Sequence, residues 1–326
     1  MKAILIKQTG GPENLAVAEY DKPRAKEGLV LIKVKAFGIN RAELYMRKGE
    51  WGETTDIIGI ECVGLVEEDP SGEFKKGQKV AAICGGMARI VNGSYAEYTN
   101  VPKTNVIALE TNLPWDELAA IPETYATAWA LLNWGLNVKP NETLLVRGGS
   151  STLGQACIIL AKQAGLDVIA TTRSGKKSAL LQRLGADNVI IDNGEISSQV
   201  LLIASGGVDN VIELTGNSTL LDSFKSTKAM GSVCLAGFLG GLKPFESFQP
   251  LMQIPSGIRF SVFGSAFVFG DKGFEISKIP LQKIITDIEE KRIPNIYKKT
   301  FAFESIAEAH QLVETNDING KVVVQL

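Results

Sequence analysis

The feature that most narrows what this chain can fold into is a glycine-rich turn set between an apolar strand and an apolar helix. Leu144-Leu-Val146 runs into Arg147-Gly-Gly-Ser-Ser-Thr-Leu-Gly154, after which Ala156, Ile159, Leu160 and Ala164 recur at helical spacing. A strand that turns through glycines into a helix opens a βαβ unit, and the following sequence keeps that rhythm. Residues 143–146, 167–171, 188–191, 210–214 and 232–236 read as apolar strands separated by longer helical patterns, and residues 258–262 add a sixth. The expectation is an α/β fold with a doubly wound, parallel, six-stranded sheet of the dinucleotide-binding kind.

The chain before this region reads differently. Residues 3–7, 30–36, 59–67, 78–84 and 95–101 are short runs of branched apolar side chains with glycine or proline between them, which predicts a β-rich domain. One helix is expected over 40–48, with Asn40 as its N-cap and Leu44 and Arg47 on one face. Behind the sixth strand come helical patterns over 281–290 and 306–314 and a closing strand over 321–325. That is too little for a core of its own, so the tail is expected to fold back onto the first domain.

Charge and rare residues exclude several function classes. The chain carries 34 basic and 36 acidic side chains for a net charge of -2, so no basic footprint draws it to nucleic acid. Histidine occurs once, which argues against a Ser-His-Asp triad or a multi-histidine metal site. Cys62, Cys84, Cys157 and Cys234 stand far apart with no C-x-x-C pair, and are expected as reduced, buried thiols. No signal-like or membrane-length apolar run is visible, so the expectation is a soluble, cytoplasmic protein without a membrane partner.

The glycine turn has a chemical reading. The G-x-G-x-x-G spacing falls on Gly149, Ser151 and Gly154, with serine replacing the middle glycine. The first position needs a tight turn, the second close approach of a pyrophosphate, and the third close packing of helix on strand, while N–H groups at the helix start hold phosphate charge. An ordinary strand-to-helix turn has the same composition; its place at the head of a βαβ unit favours a cofactor site. The second strand ends in Thr171-Thr172-Arg173-Ser174, followed by Lys176 and Lys177, where an NAD-binding protein places an acidic residue. Guanidinium, ammonium and hydroxyl donors at Thr172, Arg173, Ser174 and Lys177 suit the 2′-phosphate of NADP(H), and an aspartate would repel it. A solvated loop is the competing reading of the same residues.

Several motifs in series now identify a family. Gly38-Ile-Asn40, Asn40-x-x-Glu43-x-Tyr45-x-Arg47-x-Gly49, Gly59-x-Glu61-x-x-Gly64-x-Val66, Phe74-Lys-Lys-Gly77-Gln-x-Val80, Ala120-Ile-Pro-Glu-Thr-Tyr-Ala-Thr127-Ala-Trp129, the glycine turn, Leu184-Gly-Ala-Asp187, Ala309-His310 and Gly320-Lys-Val322 together resemble the medium-chain dehydrogenase/reductase superfamily. More narrowly they resemble its zinc-independent quinone oxidoreductase branch, which includes zeta-crystallin-like proteins. The resemblance implies a GroES-like catalytic domain in two parts, residues 1–117 and 267–326, around an inserted Rossmann domain over 118–266.

It also implies roles. Asn40 and Thr127 would lie by the nicotinamide, Tyr45 in the substrate pocket, and Thr152 and Leu153 at the pyrophosphate. Thr215 and Gly216 after the fourth strand, and Gly237 and Phe238 after the fifth, would touch the cofactor, although turn geometry alone explains their glycines equally well. The zinc ligands of the superfamily's alcohol dehydrogenases map onto Asn40, Ile60 and approximately Glu123, a poor set for a metal that wants nitrogen and sulfur donors. Without a Lewis acid a simple alcohol is a poor substrate, whereas a quinone or an α,β-unsaturated carbonyl accepts hydride and leaves a delocalised anion that a donor can stabilise. Tyr45 is either that donor or an aromatic wall; Glu61 is expected as an ion-pair partner, and His310 is assigned no chemistry. The expectation is thus an NADPH-dependent, zinc-independent reductase, with a zinc-type alcohol dehydrogenase and a non-catalytic NADPH-binding protein as alternatives. The resemblance further implies a homodimer paired through the last Rossmann strand, residues 259–264, with Phe260, Phe263, Phe267 and Phe269 forming its edge and a pocket wall.

Overall fold

The computed structural model describes residues 1–315 and 318–326. Its chain forms two units, one of residues 1–126 and 265–326 and the other of residues 127–264.

In the first unit the hairpin β1 (Lys2–Ile6) and β2 (Leu15–Glu19) makes a separate two-stranded sheet. The larger sheet is built on β3 (Leu29–Gly38), whose run Val30, Ile32, Val34 and Phe37 is buried in the unit's core. After β3 comes α1 (Arg41–Lys48), and then β4 (Glu61–Glu68), which pairs antiparallel with β3. β5 (Lys79–Ile83) continues the sheet beyond β4, β6 (Tyr98–Pro102) pairs with β3, and β7 (Val106–Ala108) closes against β5. The short helix α2 (Trp115–Ala119) packs on β3 and β4, and α3 (Pro122–Ala130) carries the chain into the second unit.

The second unit alternates strand and helix as its apolar spacing predicts. β8 (Thr143–Arg147), α4 (Thr152–Gln163), β9 (Asp167–Thr172), α5 (Ser178–Arg183), β10 (Asn188–Ile191), α6 (Ser197–Ile203), β11 (Val208–Glu213), α7 (Asn217–Lys225), β12 (Thr227–Leu235), α8 (Pro250–Gln253) and β13 (Arg259–Val262) follow in order. The six strands run parallel in the order β10-β9-β8-β11-β12-β13, the doubly wound arrangement of a Rossmann sheet. Leu144, Leu145 and Val146 of β8 are all fully buried, as a central parallel strand covered on both faces requires.

The remaining segment returns to the first unit. It contributes α9 (Ser265–Val268), α10 (Leu281–Glu289), β14 (Tyr297–Ala302), α11 (Ile306–Thr315) and β15 (Lys321–Gln325). β15 lies between β14, which it joins in parallel, and β3, which it joins antiparallel.

The arrangement departs from the sequence reading in its boundaries and adds strands to it. The units divide at 126/127 and 264/265 rather than at 117/118 and 266/267, because α2 packs on strands of the first unit and α3 crosses the division without a turn. Strands β2, β7 and β14 had no clear signal; β14 carries Lys298-Lys299-Thr300 on a half-exposed edge. The four phenylalanines are divided between the two units. Phe260 turns into the second unit's core, edge-on to Phe224 with ring centroids 5.3 Å apart, whereas Phe267 and Phe269 belong to the first unit.

Candidate active site

The glycine turn of the second unit is built by close backbone contacts. Gly148 has φ +87°, and its N–H donates to Thr171 Oγ1 at 2.9 Å, which ties the turn to the end of β9. A Cβ on Gly154 would stand 2.5 Å from the Gly148 carbonyl oxygen and 2.7 Å from the Gly149 Cα, so no side chain fits there. Ser151 does more than keep the middle position small. It is the N-cap of α4: its Oγ donates to the Gly148 oxygen at 2.8 Å and accepts the Gly154 N–H at 3.1 Å. Thr152 and Leu153 form the first turn of α4, where N–H groups and the positive end of the helix dipole suit an anion.

Two further turns converge on this one at the carboxyl ends of the strands. A Cβ on Gly148 would lie 3.1 Å from the Leu214 Cβ and 3.0 Å from the Leu239 Cδ1. The segments after β11 and β12 are bonded together, Leu239 N–H to the Leu214 oxygen at 3.0 Å and Gly240 N–H to the Thr215 oxygen at 2.8 Å. Gly216 has φ +107°, and a Cβ on Gly237 would stand 2.7 Å from the Leu214 oxygen, so both glycines have a backbone reason. Phe238 lies beside Gly216. Open α/β sheets bind ligands at this edge.

A buried charge cluster that sequence reasoning missed underlies these turns. Arg147, fully buried, donates from Nε and Nη2 to the two oxygens of Asp192 at 2.9 and 3.0 Å, and from Nη1 to Asp222 at 2.8 Å. Its guanidinium also lies 3.9 Å from Glu213. The other oxygen of Glu213 accepts the N–H groups of Thr215 and Gly216 at 2.6 and 3.0 Å and so sets the turn after β11. The available signal was a lone arginine closing the apolar run Leu144-Leu-Val146.

At the end of β9, Thr172 is buried and its Oγ1 accepts the Ser174 N–H at 3.3 Å. Ser174 caps the short turn Gly175–Lys177, and Arg173 is exposed beside it. No carboxylate intervenes in the run Thr171-Thr172-Arg173-Ser174.

The first unit gathers a different set around the start of α1. Asn40 N–H donates to Glu43 Oε2 at 2.9 Å, and Glu43 Oε1 accepts the Ile60 N–H at 3.0 Å. Burial pushes the Glu43 carboxyl up to about 7. The Asn40 side chain is held at both ends: Nδ2 donates to Glu61 Oε1 at 2.9 Å, and Oδ1 accepts from the Lys321 ammonium. Lys321 is 1% exposed, lies 2.7 Å from Glu61 Oε1 and donates to Thr124 Oγ1 at 3.0 Å. The remaining oxygen of Glu61 accepts the Glu123 N–H at 2.9 Å. Gly38 makes room for the pair, since a Cβ there would stand 2.6 Å from Glu61 Oε1 and 3.0 Å from the Ala119 oxygen. Glu61 is the ion-pair partner expected, but its cation was unassigned: Lys321 was visible only as the polar opening of the apolar strand Lys321-Val-Val-Val.

Tyr45, on α1, stacks on Trp51 with centroids 5.7 Å apart, and Trp51 stacks on Phe267 at 6.2 Å. Burial holds the Tyr45 hydroxyl above the usual tyrosine range, so it keeps its proton at neutral pH. Thr127 is buried in α3, and His310 is buried in α11 with its Nε2 2.9 Å from the Tyr95 hydroxyl. All four cysteines are free and buried. Among the described residues, no group of three or more His, Cys, Asp or Glu side chains is placed to hold a metal ion, and no helix is long and apolar enough to cross a membrane.

These two sets can be compared with known proteins. Residues 26–111 match the family model described as alcohol dehydrogenase GroES-like domain, and residues 152–271 match that of zinc-binding dehydrogenase. The chain is 27% identical over 339 residues to the quinone oxidoreductase of Homo sapiens, covering all of this chain and 98% of the human protein. The chain belongs to the medium-chain dehydrogenase/reductase superfamily. In the terms of that superfamily, its first unit is the GroES-like domain and its second the Rossmann domain. Among superfamily structures, mycobacterial Rv1454c complexed with NADPH has a TM-score of 0.86 and 26% identity, with all of both chains covered. The Escherichia coli quinone oxidoreductase complexed with NADPH reaches 0.89 at 20% identity, also over the full length of both, a likeness of fold.

Proposed function

We propose that this chain is an NADPH-dependent oxidoreductase that delivers hydride to a quinone or another activated, α,β-unsaturated carbonyl without zinc. The observation that carries the reading is the Lys321 ammonium, buried against Asn40, Glu61 and Thr124 where zinc-dependent relatives would gather metal ligands. A cation already fixed among these oxygens repels a divalent ion, and zinc prefers nitrogen and sulfur donors that this set lacks. Alcohol oxidation needs a Lewis acid to acidify the hydroxyl; an activated acceptor does not.

The second unit's residues fit the cofactor. The glycine cradle that no Cβ could share, the start of α4 and the hydroxyl-and-cation run at the end of β9 support a pyrophosphate at Gly149, Ser151, Thr152, Leu153 and Gly154. Thr172, Arg173, Ser174 and Lys177 are assigned to the 2′-phosphate, and Thr127, Thr215, Gly216, Gly237 and Phe238 to the rest of the dinucleotide. When bound, NADPH supplies a hydride to an electron-poor carbon of the acceptor. Lys321 and Glu61 fix the Asn40 amide beside the reacting groups. Tyr45, protonated at neutral pH, donates to the oxygen that gains charge, and solvent supplies the final proton.

The test is NADPH oxidation followed by absorbance with a panel of quinones and enones. Oxidation is expected only when an acceptor is present; NADPH binding without turnover on any acceptor refutes the reading in favour of a binding protein. Stoichiometric zinc in protein purified without chelators refutes the metal-free site.

A cytoplasmic homodimer belongs to the same proposal. Buried, free cysteines fit a reducing compartment. β13 is an edge strand of the Rossmann sheet, and Met230, Leu251, Met252 and Val262 of the same unit are exposed apolar side chains. A monomer by light scattering removes the dimer.

A further inference from the structure

The aromatic run of the first unit ends on a cation. The Arg89 guanidinium lies 4.7 Å from the centroid of the Phe267 ring, at the end of the stack Tyr45, Trp51, Phe267. Its hydrogen bond to the Trp51 carbonyl oxygen is long, at 3.5 Å, and among the described residues it forms no ion pair. A half-buried guanidinium that stacks on a ring while lacking an anion keeps its charge-assisted donors for something else.

Two further observations point the same way. The indole Nε1–H of Trp51, in the middle of the stack, is buried without an acceptor, a donor that costs stability until an oxygen reaches it. The turn that presents Arg89 is also held in an expensive conformation. Cys84 and Ala88 have φ +57° and +67°, both outside the range that side chains with a Cβ favour, and the N–H groups of Arg89, Ile90 and Val91 all donate to the Gly86 oxygen. Backbone strain of this kind is kept where the position of a side chain matters.

We infer that the acceptor site selects planar acceptors carrying an anionic oxygen group, a carboxylate or sulfonate, with the flat ring system on the Tyr45, Trp51 and Phe267 stack and the anion on Arg89. The inference rests on the quinone or enone reading above and deepens it. A neutral quinone uses the stack alone. An anionic one adds a charge-assisted, planar contact that a guanidinium makes better than an ammonium.

The experiment compares 1,4-naphthoquinone with its 2-sulfonate in the NADPH-loaded enzyme and in Arg89→Gln and Arg89→Lys. The sulfonate also changes the acceptor's reduction potential, so the reading is the ratio of kcat/KM for the two acceptors in each variant relative to wild type. That ratio should fall about tenfold in Arg89→Gln, the size of one charge-assisted hydrogen bond, and partly recover in Arg89→Lys. Added salt should shrink the wild-type ratio. An unchanged ratio in Arg89→Gln overturns the inference. Calorimetric binding of unreactive naphthalene-1-sulfonate separates this result from failure of the parent reading. Without turnover on any acceptor, weaker binding of that anion by Arg89→Gln still upholds the site, and equal binding by wild type and variant overturns it.

Discussion

Replacing Lys321 by methionine removes the ammonium from a site where it is 1% exposed and touches Asn40, Glu61 and Thr124. Glu61, equally buried, keeps its bonds from the Asn40 Nδ2 and the Glu123 N–H but loses its only ion-pair partner among the described residues. Stranding one member of a buried pair costs about 3–5 kcal/mol, because the remaining charge has been taken out of water without compensation. Glu61→Gln should cost a similar amount by stranding the ammonium. The double variant carries neither charge of this pair, so its loss should be smaller than the sum of the two by at least about 2 kcal/mol, within the range of coupled contacting sites. Urea unfolding followed by tryptophan fluorescence gives the four midpoints of this cycle; Trp51 and Trp115 report on the first unit. Additive losses would refute the reasoning, since they would mean that the two charges do not depend on each other. A rise in the wild-type midpoint on adding zinc would refute it differently, by showing that the oxygens are available to a metal.

Two other predictions follow from single residues. Arg173→Ala should weaken NADPH about tenfold or more while leaving NADH binding little changed, as expected for loss of one charge-assisted contact to the 2′-phosphate, and calorimetry with both cofactors decides it. Burial and the neighbouring Arg47 lower the His310 pKa to about 3, against an unfolded value near 6.5. The unfolded chain therefore binds a proton that the folded one refuses, and stability falls as pH drops below about 6.5, by about 2 kcal/mol at pH near 5. As the chain has one histidine, its imidazole NMR signals should stay unshifted across that range, and His310→Gln should lose less stability on acidification than wild type.

How much of this was legible beforehand depended on the distance over which each signal acts. The Rossmann unit was readable because its information is local: the glycine turn, the alternation of apolar strands and helices, and the missing carboxylate after β9 all lie in continuous sequence. Ser151 was read only as a small residue, because a cap depends on which N–H groups its hydroxyl meets. The pair Lys321 and Glu61 was hidden for a topological reason, since β15 and β4 lie on opposite sides of β3 and their residues meet only once the sheet is complete. Arg147 depends similarly on Asp192, just after β10, and Asp222, on α7. The division between units was misplaced because a continuous helix, α3, crosses it and no glycine or proline linker marks the change.

The insertion of β15 between β3 and β14 fixes an order of events during synthesis. The residues that hold the two ends of the Asn40 side chain are supplied by β4 and β15, and the second of these leaves the ribosome only after the whole Rossmann unit has been made. Domains fold as units as they emerge. The Rossmann unit therefore has its complete set of strands while the GroES-like unit still lacks the strand that fills its sheet and the lysine that neutralises Glu61. Until that strand arrives, β3 has an open edge and a buried carboxylate has no cation, so the nascent chain depends on protection from its surroundings longest at the unit that carries Asn40 and Tyr45.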